Sequence, residues 1–115
     1  MISFFIPFYN EEQKGKKLNF FLKDLKKFIK HPANKKNHFL LYNDGSTDRT
    51  QVYLENFKKQ FKGNKILILN NINNRGVGYS FKKTIKYCKS KFLFFLPGDY
   101  DLSFKDLLHL NRYTK

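Results

Sequence analysis

Hydrophobic and polar positions follow two kinds of pattern along the chain. Nearly continuous apolar runs, typical of strands buried on both faces of a sheet, occur at residues 2–8, 38–42, 65–70 and 92–96. Between these runs, apolar residues recur at the spacing of amphipathic helices, over about residues 14–30, 49–62, 77–89 and 103–112. The order β-α-β-α-β-α-β-α predicts an α/β fold: an open parallel β-sheet with flanking helices and right-handed crossovers.

The helical spacing also predicts which side chains face the sheet. The expected inward residues are Leu18, Phe21, Leu22, Leu25, Phe28 and Ile29 in the first helix, Val52, Phe57 and Phe61 in the second, and Val77, Phe81, Ile85 and Cys88 in the third. Cys88 is the only cysteine, so no internal disulfide or thiolate cluster can form, and we expect a buried, inert thiol. Thr47 or Asp48 can cap the second helix.

Composition limits the classes of function. The 115 residues suffice for one domain, and the formal net charge of +14 suits nucleic acid, an anionic membrane or a phosphorylated ligand. Since all but Arg49, Arg75 and Arg112 of the 23 basic residues are lysines, the bias is more typical of an AT-rich genome than of a phosphate-reading surface. No signal peptide or membrane span is evident, so we expect a cytoplasmic protein, peripheral at most at the inner face of the membrane.

Polar side chains follow each predicted strand. They are Tyr9 and Glu11, Asn43 and Asp44, the loop at residues 74–78, and Asp99 with Asp101. The carboxyl ends of parallel strands meet at one edge of the sheet, which is where open α/β folds bind ligands. The sequence therefore predicts a binding site at this edge.

Two other ligand classes fit poorly. A dinucleotide site needs glycines in the first strand-to-helix turn, but Glu11 and Glu12 stand there, and a Walker lysine motif is also absent. Oxygen ligands at Asp44, Ser46, Asp48 and Glu55 match positions one, three, five and twelve of a calcium loop. Arg49 nevertheless occupies the position where that loop needs glycine, so a calcium site is disfavoured.

Four sequence blocks resemble those of family 2 glycosyltransferases with the GT-A fold. Residues 6–12 (IPFYNEE) resemble the opening block, and residues 43–50 (NDGSTDRT) resemble the second. Residues 74–78 (NRGVG) match the glycine loop, and residues 94–101 (FFLPGDYD) stand where the family has its metal-binding Asp-x-Asp strand end. The blocks occur in the family's order and cover nearly the whole chain.

The resemblance implies an inverting enzyme that transfers a sugar from a nucleotide-diphosphate sugar, foremost a UDP-sugar, to an acceptor. The acceptor is not identified; a lipid-linked molecule or a polysaccharide would fit. The implied process is the biosynthesis of cell envelope polysaccharide. The implied nucleotide-sugar-binding residues are Pro7, Tyr9, Glu11, Asn43, Asp44, Arg75, Gly76 and Lys82, and the implied metal ligands, for Mg²⁺ or Mn²⁺, are Asp99 and Asp101. Tyr9 would pack on the base, Asp44 would accept its hydrogen bond, and Arg75 and Lys82 would lie near the pyrophosphate.

Each of these residues also has a structural interpretation. Tyr9 can be a strand-end aromatic, Asp44 a turn residue before Gly45, and Lys82 a solvated charge. Asp48 fits a helix cap better than a ligand. The segment from Asp99 to Asp101 can be a turn ahead of the last helix.

The resemblance is incomplete in two respects. Pro97 and Gly98 stand where the family commonly begins its metal block with a carboxylate. The acceptor site and general base of the family follow that block, so residues 1–115 are expected to form a partial domain, the donor-binding half, whose fourth strand is an uncovered apolar edge. The first alternative to an active glycosyltransferase is a degenerate module that binds a nucleotide sugar without catalysis. The second, less favoured, is a basic protein that binds nucleic acid or an anionic membrane. We do not expect nucleic acid as a partner.

Overall fold

The computed structural model describes residues 1–63, 65–88, 90–96 and 104–107. The elements follow the order β1 (Ile2–Phe8), α1 (Lys16–Lys30), β2 (His38–Asp44), α2 (Thr50–Lys58), β3 (Ile66–Asn71), α3 (Val77–Tyr87), β4 (Phe92–Phe95) and α4 (Phe104–Leu107). All strand pairs are parallel, in the order β3-β2-β1-β4. The predicted open parallel sheet with flanking helices is confirmed.

Helices cover both faces of the sheet because β1 carries large apolar side chains on each side. Phe4 lies edge-on to Phe28 of α1, with 5.5 Å between ring centroids, and Phe5 lies edge-on to Phe81 of α3, at 5.4 Å. Successive strand residues point to opposite faces, so α1 and α3 lie on opposite sides. All six apolar residues predicted to face inward from α1 are buried.

The predicted inward face of α2 is partly wrong. Phe57 is buried as expected, but Val52 is 53% exposed, and Leu54 is fully buried in its place. Residues two apart on a helix differ by about 200° in direction, so Val52 and Leu54 cannot both face the sheet. The helix also ends earlier than predicted, which leaves Phe61 beyond it, partly buried against the core.

The predicted apolar face of α3 is also partly wrong, although Phe81 packs against Phe5 of β1 as expected. Ser80 and Thr84 are fully buried, whereas Val77 and Ile85 are 46% and 53% exposed. Hydrophobic periodicity cannot identify a helix face that buries small polar residues with satisfied hydroxyls; the Thr84 hydroxyl donates to the carbonyl of Ser80 at 2.8 Å. Cys88 lies after the end of α3 and is only half-buried, so the expected buried thiol is also wrong.

Gly45 lets the loop after β2 touch the loop after β3, backbone to backbone. Its φ of +68° lies in the left-handed region, and a Cβ atom there would lie 2.2 Å from the carbonyl carbon of Asn73 and 2.4 Å from the backbone nitrogen of Asn74. Such distances are far inside van der Waals contact. Only glycine fits this position without displacing the second loop.

β4 is an edge strand within the described part of the chain, as the sequence predicted. It pairs with β1 on one side, and its rings remain partly solvated, with Phe92 37% and Phe95 36% exposed. None of the helices in the described ranges has the length and apolar character to cross a membrane. Residues 108–112 of the predicted last helix lie outside the described residues.

We expect Gly45→Ala to destabilise the protein more than Gly63→Ala does. Both glycines have left-handed backbone, at φ +68° and +65°, so both variants carry a backbone penalty of about 1–2 kcal/mol. A Cβ at Gly63 meets nothing within 4 Å, whereas one at Gly45 must displace the neighbouring loop, which adds about 1–3 kcal/mol. Urea denaturation followed by circular dichroism measures the difference; equal losses would contradict the close approach.

Phe92→Lys should reduce self-association by introducing a charge into the edge strand. The matched control is Phe20→Lys, because Phe20 is 63% exposed on α1, away from the edge. Sedimentation velocity across a range of protein concentrations measures the association. Equal association of both variants would show that the β4 edge does not drive it.

Candidate functional site

The loops that follow β1 and β2 are joined by hydrogen bonds that backbone N–H groups donate to side-chain oxygens. Asn10 adopts left-handed backbone with φ 46°; its N–H donates to the Ser46 hydroxyl at 3.0 Å, and its Oδ1 accepts from the N–H of Thr47 at 2.8 Å. The N–H of Glu11 donates to the Thr50 hydroxyl at 2.9 Å. The Ser and Thr residues of the second block thus hold the first block in place, a role that sequence reasoning missed.

Asp48 binds the first residue of α2, but it lies one residue before the N-cap, which is Arg49 and not Thr47 or Asp48 as predicted. Its Oδ1 accepts from the N–H of Thr50 at 2.9 Å and from the Thr50 hydroxyl at 2.5 Å. Glu12 adds an exposed ion pair to Arg49, 2.6 Å from Oε2 to Nε, and the hydrogen bond to Glu12 raises the pKa of the Arg49 guanidinium. These contacts fix the start of α2 against the first loop.

The carboxylate of Asp44 lies at the centre of the site, at the end of β2, and is only 3% exposed. Its Oδ1 accepts from Asn71 Nδ2 and from the backbone N–H of Arg75, both at 2.8 Å. Its Oδ2 accepts from the backbone N–H of Gly76 at 2.8 Å and from Asn74 Nδ2 at 3.1 Å. Two donors on each oxygen fill the acceptor capacity of an ionised carboxylate.

Asn71 is itself held by a buried polar network. The Tyr42 hydroxyl donates to Asn71 Oδ1 at 2.6 Å, and Asn71 Nδ2 donates both to Asp44 Oδ1 and to the Ser80 hydroxyl at 2.9 Å. Burial raises the pKa of the Tyr42 phenol, so the hydroxyl keeps its proton. The buried polar residues of α3 and β3 therefore orient the carboxylate, which explains why Ser80 faces inward.

A cleft of about 210 Å³ opens in front of Asp44. It brings together four of the sequence-predicted residues, and it is lined by Pro7, Phe8, Tyr9, Glu11, Lys14, Asp44 and Val77. Lys14 was missed: its ammonium lies 2.9 Å from Glu11 Oε2. Its position just after the first strand could have indicated it, but the abundance of lysines in the chain hid that signal.

The other predicted residues contribute less directly or lie elsewhere. Asn43 is buried, and its side chain bonds Gln51 and Ser46 within the protein. Arg75 is exposed, with its guanidinium carbon 5.8 Å from the centroid of the Tyr79 ring. Lys82 is exposed on α3 and does not line the cleft.

The predicted metal ligands Asp99 and Asp101, together with Pro97 and Gly98, lie outside the described residues. In the ranges that are described, no three His, Cys, Asp or Glu side chains come close enough to hold a metal ion. The calcium-loop alternative gains nothing from the geometry, because Asp44 points to the loop after β3 and Glu55 accepts from Gln51 at 2.7 Å.

The chemistry of the cleft is that of recognition. The cleft is lined by the half-exposed ring of Tyr9, by Lys14, and by Glu11 and Asp44, both of which are buried. Each carboxylate is already compensated, Glu11 by Lys14 and Asp44 by four N–H donors. Such a set suits a flat polar ring and hydroxyl groups.

Solved structures with the same fold include a mannosyltransferase and the protein TarS. A mannosyltransferase from Pyrobaculum calidifontis, PcManGT, in complex with GDP-Man and Mn²⁺, is 14% identical with a TM-score of 0.65 over 80% of this chain. Staphylococcus aureus TarS, residues 1–349 in complex with UDP, is 22% identical with a TM-score of 0.63 over 85%. This chain spans 25% and 27% of those two chains. The likeness shows a fold of the GT-A type.

Comparison of sequences gives the family. No curated protein matches the chain. The model of the family described as "Glycosyl transferase family 2" matches residues 3–112, which is nearly the full length and includes all four blocks. The chain therefore belongs to glycosyl transferase family 2.

Proposed function

We propose that this chain is the donor-binding half of a glycosyltransferase, which transfers a sugar from a nucleotide-diphosphate sugar to an acceptor. The single observation that carries the proposal is the cleft in which Tyr9, Glu11 and Asp44 meet at the carboxyl edge of the sheet. Family membership supports it, and so do the fold relatives, since PcManGT is in complex with GDP-Man and one TarS structure is in complex with UDP. A UDP-sugar is the proposed donor.

The proposed roles follow from the exposure and chemistry of each side chain. Tyr9 is 45% exposed, so one face of its ring is open for a nucleotide base. Glu11, fixed by Lys14, would accept from the base or the ribose hydroxyls, and the ionised carboxylate of Asp44 would accept from an N–H of the base. Pro7 lines the floor of the cleft, and buried Asn43 would act indirectly, through the shape of the loop.

The diphosphate would extend towards the start of α3. Arg75 and Lys82 carry the positive charges on that side, and Gly76 stands at the first turn of α3, where the helix dipole favours an anion. Lys14 at the cleft adds a further positive charge. These groups would offset the negative charge of a diphosphate.

Asp99 and Asp101 would hold Mg²⁺ or Mn²⁺. Carboxylate oxygens are the hard ligands that these cations prefer, so the donor set fits. When bound, the cation supplies Lewis-acid stabilisation of the leaving diphosphate. Because Pro97 stands where the family commonly has its first carboxylate, the proposal rests mainly on Asp99.

The acceptor site and the general base are proposed to lie on polypeptide outside residues 1–115. An inverting transfer needs a carboxylate base within reach of the acceptor hydroxyl, and both carboxylates of the cleft are already bonded to the protein. The chain spans about a quarter of PcManGT and of the TarS 1–349 chain. A degenerate module that binds the donor without turnover is the alternative within the same class.

Tyr9→Ala should weaken the binding of UDP in the presence of Mn²⁺ by about tenfold. Stacking of a base on an aromatic ring contributes about 1–3 kcal/mol, and tenfold corresponds to about 1.4 kcal/mol. Isothermal titration calorimetry with UDP and GDP measures the affinity. The matched control is Tyr87→Ala, because Tyr87 is 52% exposed at the far end of α3 and does not line this cleft.

Asp99→Ala tests the metal in the same experiment and should abolish the Mn²⁺ dependence of UDP binding. If the wild-type chain bound neither UDP nor GDP, the proposed function would be wrong. If it bound them but Tyr9→Ala and Asp99→Ala bound equally well, the site would lie elsewhere. Turnover after addition of an acceptor-binding half would exclude the degenerate module.

A second proposed property is peripheral contact with an anionic membrane. The outward side of α1 carries an exposed aromatic ring, Phe20 at 63%, among exposed lysines. They are Lys16, Lys17, Lys23, Lys27 and Lys30, with Asp24 as the only acid on that side. Lysines attract acidic headgroups, and an aromatic ring between them can enter the interface. An acceptor linked to lipid would suit such a location.

Phe20→Ser should lower binding to vesicles that contain phosphatidylserine, because it removes the ring but keeps every charge. The matched control is Ile72→Ser, since Ile72 is 98% exposed in the loop after β3 and is not part of α1. Vesicle co-sedimentation at low and at physiological salt measures binding. Absence of binding at both salt concentrations would contradict the membrane contact.

A further inference from the structure

Asp44 has no acceptor position left for a ligand in this conformation. Both oxygens accept two hydrogen bonds each, from Asn71, Asn74 and the backbone N–H groups of Arg75 and Gly76. An ionised carboxylate offers about four acceptor positions and no donor. A nucleotide base can therefore bind to Asp44 only if one of the four present donors leaves.

The four donors are not equally easy to remove. Three lie 2.8 Å from the carboxylate oxygens, and two of these are backbone N–H groups of Arg75 and Gly76. The third belongs to Asn71, which is buried; its Oδ1 accepts from the Tyr42 hydroxyl, and the same Nδ2 also donates to the Ser80 hydroxyl. Displacing any of these would move backbone or leave a buried polar group unsatisfied, which costs more than the bond itself.

The fourth donor is different. Asn74 is an exposed residue, and its side-chain amide reaches Asp44 Oδ2 at 3.1 Å and the Asp44 carbonyl oxygen at 3.2 Å. Rotation of the side chain would return this amide to water, where its hydrogen bonds are replaced. Nothing buried would be left unpaired on the side of Asn74.

We propose that the Asn74 amide occupies, in the ligand-free protein, the Asp44 acceptor position that the base of the nucleotide uses, and that the base N–H displaces it. Asn74 then determines specificity through competition: only a base that directs a donor N–H at Asp44 Oδ2 can replace the amide. Asn71, oriented by Tyr42, is the positioning residue that keeps the carboxylate in place during the exchange. The inference rests on the proposed function of the cleft.

The exchange also defines which bases fit. Uracil and guanine have a ring N–H that can donate to a carboxylate, whereas the matching ring nitrogen of cytosine is an acceptor. The amino group of cytosine is a donor, but it occupies the position of the uracil O4, so a base bound in the uracil orientation does not direct it at Asp44. An acceptor facing Asp44 Oδ2 would meet like partial charge and would leave the oxygen without its donor. The competition with Asn74 therefore applies to UDP and GDP and not to CDP.

Asn74→Ala tests the proposal as a gain of affinity, which unfolding cannot imitate. Removing the competitor should tighten the binding of UDP about fivefold in calorimetric titration, the factor expected for one ordinary hydrogen bond. CDP binding should not tighten. The matched control is Asn73→Ala, which removes an exposed neighbouring amide and should leave UDP affinity unchanged.

A spectroscopic measurement separates displacement from general loosening of the loop. On addition of UDP, the side-chain amide signals of Asn74 in a ¹⁵N–¹H spectrum should move to the chemical shifts of a solvent-exposed amide. The backbone N–H signals of Arg75 and Gly76 should keep the chemical shifts of hydrogen-bonded groups. Asn71→Ala should have the opposite effect on affinity and weaken UDP binding, because the carboxylate loses a fixed donor.

The outcomes distinguish this inference from the function on which it rests. If the wild-type chain binds UDP and Asn74→Ala binds it equally or more weakly, the exchange is wrong while nucleotide binding stands. Equal tightening for UDP and CDP would also overturn it. If neither protein binds UDP, GDP or CDP, the proposed function fails and the exchange fails with it.

Discussion

The buried carboxylate of Asp44 is the constraint on which the candidate site depends. A charge at the end of β2 that is almost inaccessible to water is tolerated only when fixed donors surround it. The fold supplies them from β3, in Asn71, and from the loop that leads into α3, in Arg75 and Gly76. The same bonds that satisfy the charge therefore fix the position of that loop, and the site and the fold share one set of contacts.

Gly45 makes possible the close approach of the loops after β2 and β3, and buried hydroxyl groups determine the orientation of the Asn71 amide. Gly45 allows the backbone at Asn73 to pass at a distance that no other residue permits. Tyr42 and Ser80 hold the Asn71 amide with its donor towards the carboxylate. A buried polar network of this kind is stabilising when every member has its hydrogen-bond partners, as here. It lies between β3 and α3, at a place where a helix more commonly buries apolar side chains.

The candidate site lies at one edge of a parallel sheet. Tyr9, Glu11 and Asp44 line one cleft, and the first two loops are held together through Asn10 and Thr50. Their arrangement agrees with membership of glycosyl transferase family 2 and with the fold shared with PcManGT and TarS. A catalytic role for residues beyond this edge is a separate question from how the edge is assembled.

The sequence by itself determined the order of strands and helices, the inward face of α1 and the family, because long apolar runs and contiguous blocks depend on neighbours along the chain. It also indicated that Tyr9, Glu11 and Asp44 meet at one edge, since parallel strands end together. Only the tertiary structure decided that Asn74 and Asn71 share the carboxylate, that Lys14 joins the cleft, and that Ser80 faces inward instead of Val77. These contacts join residues far apart in sequence, and hydrophobic periodicity carries no information on which polar groups satisfy one another.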